Sequence, residues 1–318
     1  MPAPPDISVV VAAHNRAERL EALLDGLRAQ TLAADRFEVI VVDDGSTDAT
    51  PEVLERAVGQ PGLRLAARRQ DPARGPAAAR NAGWRNARAP IVAFTDDDCV
   101  PTATWLERLL ERAATSQEVI VKGRTVPNPA EAALLDPYAK TVNIAHSSPH
   151  YETCNIAYPR ALLERVGGFD ESYPSPAGED SDLGCRAREA GGRPVFEPNA
   201  VVHHAVFVRG PLDGLKDALL ATAGVQAYKR NPGLREHLAG GVFYNRSHPM
   251  LVQAALGLWL ARRNRSALGL CAPYALNLLR RCRANHGSPR HVPFFVMYDA
   301  VQTAATLRGA IRHRIFIV

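Results

Sequence analysis

An alternation in the first hundred residues, between short β-branched runs and segments of helical periodicity, constrains the fold more than any other feature. Residues 7–13 read ISVVVAA, an apolar run of strand length, and residues 16–30 set Leu20, Leu23, Leu24 and Leu27 at helical spacing. Residues 37–42 (FEVIVV) form a second buried strand ending on Asp43 and Asp44, after which Thr47 and Asp48 offer caps for a helix through Ala57. A weaker strand at 63–67, an alanine-rich helix at 75–89 and a strand at 90–95 (PIVAFT) complete a β-α-β-α-β-α-β period. Such a pattern predicts an α/β, Rossmann-like fold, mostly a parallel sheet with helices on both faces. Its ligands lie outside the carboxyl ends of the strands, where both Asp43-Asp44 and Asp96-Asp97-Asp98 fall.

A helix at 105–114 and a strand at 118–126 follow, and then prolines at 127, 129, 137 and 149 break the pattern into a loop-rich stretch suited to an acceptor. Helical periodicity returns at 161–166 and 180–190, with a short strand at 201–204 after a turn at 197–199. From about residue 212 the pattern is helical almost throughout. The expected organisation is an α/β domain over 1–210, with its pattern changing after about residue 126, and a helical C-terminal region over 211–318.

With 318 residues and 46% hydrophobic content, the chain can build a globular core. Cysteines at 99, 154, 185, 271 and 282 form no CxxC pair or regular spacing, so neither a zinc knuckle nor a disulfide framework is expected. The N-terminal MPAPPD lacks a signal-peptide pattern, and the apolar run at 250–261 is short of the roughly 20 residues that span a bilayer. A cytoplasmic protein is expected. Ten arginines between 262 and 314 concentrate the formal +5 charge near the C-terminus. With the aliphatic residues around them, segments 250–261 and 301–318 read either as amphipathic helices on the anionic inner face of a membrane or as a cap against the catalytic domain or a homodimer partner.

Chemistry enters with the aspartates. A nucleoside diphosphate leaving group needs its charge neutralised, and a hard divalent cation held by one or two carboxylates does that. If 96–98 is extended, alternation turns Asp96 and Asp98 to one side and Asp97 to the other. Taken alone, a triple aspartate is also a common surface cluster, and Asp-Gly-Ser at 44–46 is what any tight turn would use. Glu179 and Asp180 follow a flexible 174–178 stretch and open a helix, where the dipole favours ionised carboxylates.

The ordered motifs VVVAAHNR, VVDDGSTD, GPAAARNAG, FTDDDC, GGFDE, GEDSDLGCRAREAG and VVHH resemble the inverting family 2 glycosyltransferases of GT-A fold. The resemblance covers roughly residues 7–210 and implies a catalytic domain over 1–210, with a nucleotide-sugar half at 1–126 and an acceptor and base half at 127–210. It implies a metal-dependent transfer of a sugar from a nucleoside diphosphate donor to an acceptor hydroxyl by single displacement. Ala12, His14, Asn15 and Arg16 would line the nucleobase and ribose; the family commonly has proline and tyrosine where Ala12 and His14 stand. Asp44 would accept from the nucleobase, with Arg80 and Asp97 beside the donor and Asp96 meeting the ribose or the metal. Asp98 and His203 would hold Mg2+ or Mn2+, adjacent strand histidines facing opposite ways so that only one can reach the site. Asp180 would be the base, with Glu179 as an acceptor contact or the alternative base. Cys154 and Asn155 would border the donor sugar, while Trp105, Gly167, Gly168 and Phe169 would pack or turn. UDP is the commonest nucleotide in the resembling family, with GDP and dTDP alternatives, and the acceptor would be a glycan, a lipid carrier or a small molecule.

Rival readings are thinner. A dehydrogenase would place GxGxxG after the first strand, where AAHNR stands. A nucleotidyltransferase would show a glycine- and lysine-rich loop there, and a non-catalytic nucleotide-binding protein would not need Asp44, Asp98 and Asp180 together. No nucleic-acid partner is expected.

Overall fold

The computed structural model describes residues 4–173 and 177–318. The chain divides into two compact units, residues 1–130 with 141–205, and residues 131–140 with 206–318.

The first unit is built on an eight-stranded sheet of order β3-β2-β1-β4-β7-β6-β8-β5. Strands β1 (Ile7–Ala13), β2 (Phe37–Asp44), β3 (Leu65–Gln70) and β4 (Ile91–Thr95) run parallel, with helices α1 (Ala17–Arg28), α2 (Thr50–Ala57) and α3 (Pro76–Arg85) between them. β1 and β2 are buried almost throughout, as their largely apolar runs require, and the polar pair within them is satisfied by Ser8 Oγ donating to Glu38 at 2.7 Å. Leu20, Leu23, Leu24 and Leu27 of α1 are all buried, so the helix closes one side of the sheet, while Ala77, Ala79 and Trp84 of α3 pack in a second core that includes Val10 and Phe94.

The other half contains two strands that the sequence pattern does not announce. β5 (Cys99–Pro101) is three residues long, and β7 (Asn155–Pro159) runs antiparallel between β4 and β6 (Val119–Pro127). Helices α4 (Trp105–Ala113), α5 (Arg160–Val166) and α6 (Glu179–Glu189) accompany them. β8 spans Arg193–His204, far longer than the four residues expected, because the turn at 197–199 is a bulge inside one strand. Gly123 pairs with Glu197 but Arg124 with Val201, and Pro198, with no N–H to give, lies in the extruded segment. Asn155 ties this region together: its amide donates to the carbonyls of Arg124 and Ala200, and its Oδ1 accepts from the fully buried Trp105 indole at 2.9 Å.

The second unit is helical: α7 (Pro211–Ala218), α8 (Ala221–Arg230), α9 (Ser247–Leu260), α10 (Ala272–Ala284) and α11 (Val292–His313). Ala254, Tyr274, Leu278, Cys282 and Phe295 form one core cluster in it. At its centre Asp299, fully buried, accepts from Arg281 Nη1 at 2.7 and 2.8 Å, Tyr274 Oη at 2.9 Å and Ser247 Oγ at 3.1 Å. This alters the expectation for 301–318. α11 buries Gln302, Ala305, Thr306, Gly309 and Ala310 on one face inside the unit, while Leu307, Ile311 and Phe316 stay exposed on that stretch. No helix among the described residues is long and apolar enough to cross a membrane.

Candidate active site

Parallel strands ending side by side deliver the acidic residues to one edge of the sheet. The turn after β2 is closed by Asp43, whose Oδ1 accepts from Ser46 N at 2.9 Å and whose other oxygen meets Arg69. Asp44 accepts from the backbone N–H groups of Arg74 at 2.7 Å and Gly75 at 2.8 Å, fixing the entry to α3. Gly45 has φ +71°, and a Cβ there would come within 2.9 Å of Ala73 N, so the turn requires glycine.

The end of β1 is locked to this turn. His14 Nδ1 donates to the Asp44 carbonyl at 2.7 Å, which fixes the tautomer and leaves Nε2 to accept from Asn15 Nδ2 at 3.1 Å. Asn15, at φ +54°, accepts from Thr47 N at 2.8 Å and donates its own N–H to Ser46 Oγ at 3.0 Å. Ala12 lies in β1 opposite Val42.

After β4 the chain leaves the extended conformation: Asp97 and Asp98 lie in a turn between β4 and β5. Strand alternation therefore does not turn Asp97 away. Its Oδ2 accepts from His14 N at 3.0 Å, and Arg16 Nε stands 3.8 Å from Oδ1. Burial, with the charges of Asp98 and Asp96, pushes the Asp97 carboxyl up to about 7, against the pull of the His14 N–H and Arg16.

Asp96 faces another way. Its Oδ1 accepts from Arg80 Nη2 at 2.9 Å, while Arg80 Nη1 reaches Glu179 Oε1 at 3.3 Å. Arg80 is 7% exposed, and its Nε is buried without a partner among the described residues. Burial opposes its charge, but Asp96, Glu179 and Asp180 more than offset this and raise its proton affinity. α3 is held for this task by the GGF turn: Asn81 Nδ2 donates to the Phe169 carbonyl at 2.8 Å, and Phe169 N donates back to Asn81 Oδ1 at 2.9 Å. Gly168 has φ +77°, and a Cβ there would lie 2.5 Å from Asn81 Oδ1.

Glu179 and Asp180 open α6, as expected; residues 174–176 of the preceding stretch lie outside the described residues. Burial raises the Glu179 carboxyl, opposed by Arg80. Asp180, half-buried with Oδ1 accepting from Ser181 N at 2.8 Å, is pushed well above the carboxylate range by burial and by Glu179. The sequence reading missed Lys122, which is 3% exposed, donates to the Ser148 carbonyl and stands 3.9 Å from Glu152 Oε2. Burial lowers its pKa, against the charges of Glu152 and Asp180. A lysine inside the apolar β6 run (VIVKG) was the available signal.

The histidine at the acidic turn is His204, not His203. β5 pairs with β8 so that Cys99 lies opposite His204 and Val100 opposite His203, a register invisible while β5 itself goes unrecognised. His204 Nε2 stands 3.5 Å from Asp98 Oδ1, and ligand atoms of Asp98, Cys99 and His204 lie within 4.8 Å of one another. His204 Nδ1 donates to the Ala205 carbonyl at 2.8 Å, so Nε2 presents a lone pair to a carboxylate oxygen, an arrangement that calls for a proton or a cation between them. Burial and Asp96 raise the Asp98 carboxyl, against His204 and Arg16. The fully buried Cys99 thiol is pushed well up by burial, which keeps it protonated and a poor ligand for a hard ion.

Residues 8–167, half of the chain, match the family described as Glycosyl transferase family 2. The chain belongs to that family. Relatives of this family 2 chain include the validoxylamine A glucosyltransferase of Streptomyces hygroscopicus, 30% identical over 221 residues that make up 59% of this chain and 52% of the relative. Glycosyltransferase AglE of Haloferax volcanii is 30% identical over 217 residues, 65% of this chain and 69% of AglE. The chain thus spans about half the length of the first relative and just over two thirds of the second. A mannosyltransferase from Pyrobaculum calidifontis, solved with GDP-Man and Mn2+, is similar in structure with TM-score 0.62 at 24% identity, covering 96% of this chain and 87% of that one. The likeness is one of fold and agrees with the GT-A architecture expected from the motifs.

For this family 2 chain, then, the structure brings together His14, Asn15, Arg16 and Asp97 at the ends of β1 and β4, Arg80 with Asp96 and Glu179, and Asp98 with His204. Asn155 and Cys154 are buried, and Asn155 serves as a strand bridge.

Proposed function

We propose that the chain transfers a sugar, with inversion at the anomeric carbon, from a nucleoside diphosphate donor to an acceptor hydroxyl, assisted by Mg2+ or Mn2+ at Asp98 and His204. The observation that carries this reading is His204 Nε2 facing Asp98 Oδ1 at 3.5 Å, with the other ring nitrogen tied to a carbonyl. An oxygen and an imidazole donor suit a hard or borderline divalent ion. When bound, the cation would neutralise the diphosphate as it leaves.

The remaining work falls to side chains. Residues 12–16 and Asp44 would contact the nucleoside, and Asp44 retains one lone pair on each oxygen after accepting from Arg74 and Gly75. Arg80 would hold Asp96 and Glu179 in place between donor and acceptor. Asp180 is the base: Glu179 is engaged by Arg80, whereas the raised proton affinity of Asp180 suits removal of the acceptor proton as the hydroxyl attacks. The structural neighbour solved with GDP-Man and Mn2+ supports a nucleotide-sugar donor. UDP, GDP and dTDP sugars are the donors to try; the acceptor would be a glycan, a lipid-linked saccharide or a small molecule.

The test is a panel of these nucleotide sugars with and without Mn2+, reading diphosphate release and, where transfer occurs, the anomeric configuration by NMR. Metal-dependent release with an inverted product is expected. Retention of configuration would overturn the single displacement.

A further inference from the structure

Residues 237–318 contain eleven arginines, no lysine and one acidic residue, Asp299, which is buried against Arg281. The outward face of α9, the 3-10 turn Arg265–Cys271 and α10 is apolar where a soluble helix would be polar. Val252, Leu256, Leu258, Trp259, Leu268 and Leu276 are each about half exposed or more, from 49% to 60%. α9 buries only Ser247, His248, Ala254 and Gly257, and Gln253 is the single polar side chain between Leu251 and Leu260. Exposed Arg262, Arg263 and Arg265 follow at its end, with exposed Arg280 and Arg283 on α10.

We infer that this face docks on an anionic phospholipid surface. Aliphatic side chains with a tryptophan, edged by arginines and free of carboxylates, match the boundary between headgroup and acyl chain: the apolar atoms enter and the guanidiniums meet lipid phosphates. With 14 residues at about 1.5 Å each, α9 is shorter than the roughly 30 Å hydrocarbon layer, so it lies in the interface and does not span it. Charge selects among occupants. A two-fold copy of the same face would set arginines against arginines, and a nucleic acid would leave the aliphatic residues unmatched. The reading is independent of the donor site, since every residue it uses lies in the second unit.

Trp84 and Trp105 are buried at 4% and 0%, and Trp259 is 56% exposed, so a change in tryptophan emission on docking reports Trp259. The full chain is mixed with vesicles of equimolar phosphatidylglycerol and phosphatidylcholine, and with phosphatidylcholine alone. Sedimentation with the anionic vesicles, a blue shift in emission and reversal by salt are expected. The triple variant Arg262→Gln/Arg263→Gln/Arg265→Gln should partition about a hundredfold more weakly. Trp259→Glu should bind less while keeping the wild-type melting curve. No sedimentation, or equal sedimentation with neutral vesicles, overturns the proposal. So does a dimer in analytical ultracentrifugation that Trp259→Glu dissolves, which would assign the face to a second copy.

Discussion

Buried or half-buried carboxylates occur in both units and are treated in opposite ways. Asp299 in the helical unit receives an arginine, a tyrosine hydroxyl and a serine hydroxyl, all from within the chain. Asp97, Asp98, Glu179 and Asp180 at the sheet edge are crowded by one another, and burial raises the proton affinity of each. The chain's own donors satisfy the first group and leave the second short of positive charge. A carboxylate completed internally holds a fold together, whereas a set left short is matched to something that arrives from solution.

The contrast breaks most sharply at Asp180. Asp180→Asn should lower kcat by about 10²–10⁴, the range for loss of a general base, with nucleotide binding and melting temperature nearly unchanged. Because the Asp180 carboxyl is raised, the wild-type kcat/KM should fall on the acid side at a pH well above the usual carboxylate range, as protonation removes the base. Unchanged transfer in the variant would remove Asp180 from the mechanism.

Asp299 should behave in the converse way. Asp299→Ala strips a buried partner from Arg281 and should destabilise the helical unit by about 3 kcal/mol, measured by denaturant unfolding. A variant that unfolds like the wild type would mean that Arg281, 25% exposed, reaches water without cost.

A smaller effect separates the two histidines. His204→Gln should weaken Mn2+ binding by at least the about 10–100-fold that outer-shell partners of a metal command, read by calorimetry with a nucleoside diphosphate present. His203→Gln should leave it unchanged. The reverse result would mean that β5 and β8 pair in another register in solution.

These histidines also mark where the sequence stops being legible. The parallel half can be read because β1, β2 and β4 are largely apolar runs, and the aspartates at the ends of β2 and β4 need only the rule that ligands collect there. β5 cannot: CVP is three residues with a proline, and only its pairing with β8 decides which histidine meets Asp98. β7 hides in NIAYP for a related reason, since its burial comes from an antiparallel position that no local period encodes. Alternation does not set the direction of Asp97, because it holds only while the chain is extended and the chain turns after Thr95. Arg80 is suggested by the ARN motif, but its contact with Glu179 joins residues 99 apart in sequence, a contact only the fold can make.

A cation together with a nucleotide is proposed to complete the acidic edge. The direct test is thermal stabilisation of the wild type and of Asp98→Ala by UDP, GDP and dTDP, each with and without Mn2+. One of the three should raise the wild-type melting temperature only when Mn2+ is present, and Asp98→Ala should show no shift. Equal stabilisation without metal, or a full shift in Asp98→Ala, would contradict the account.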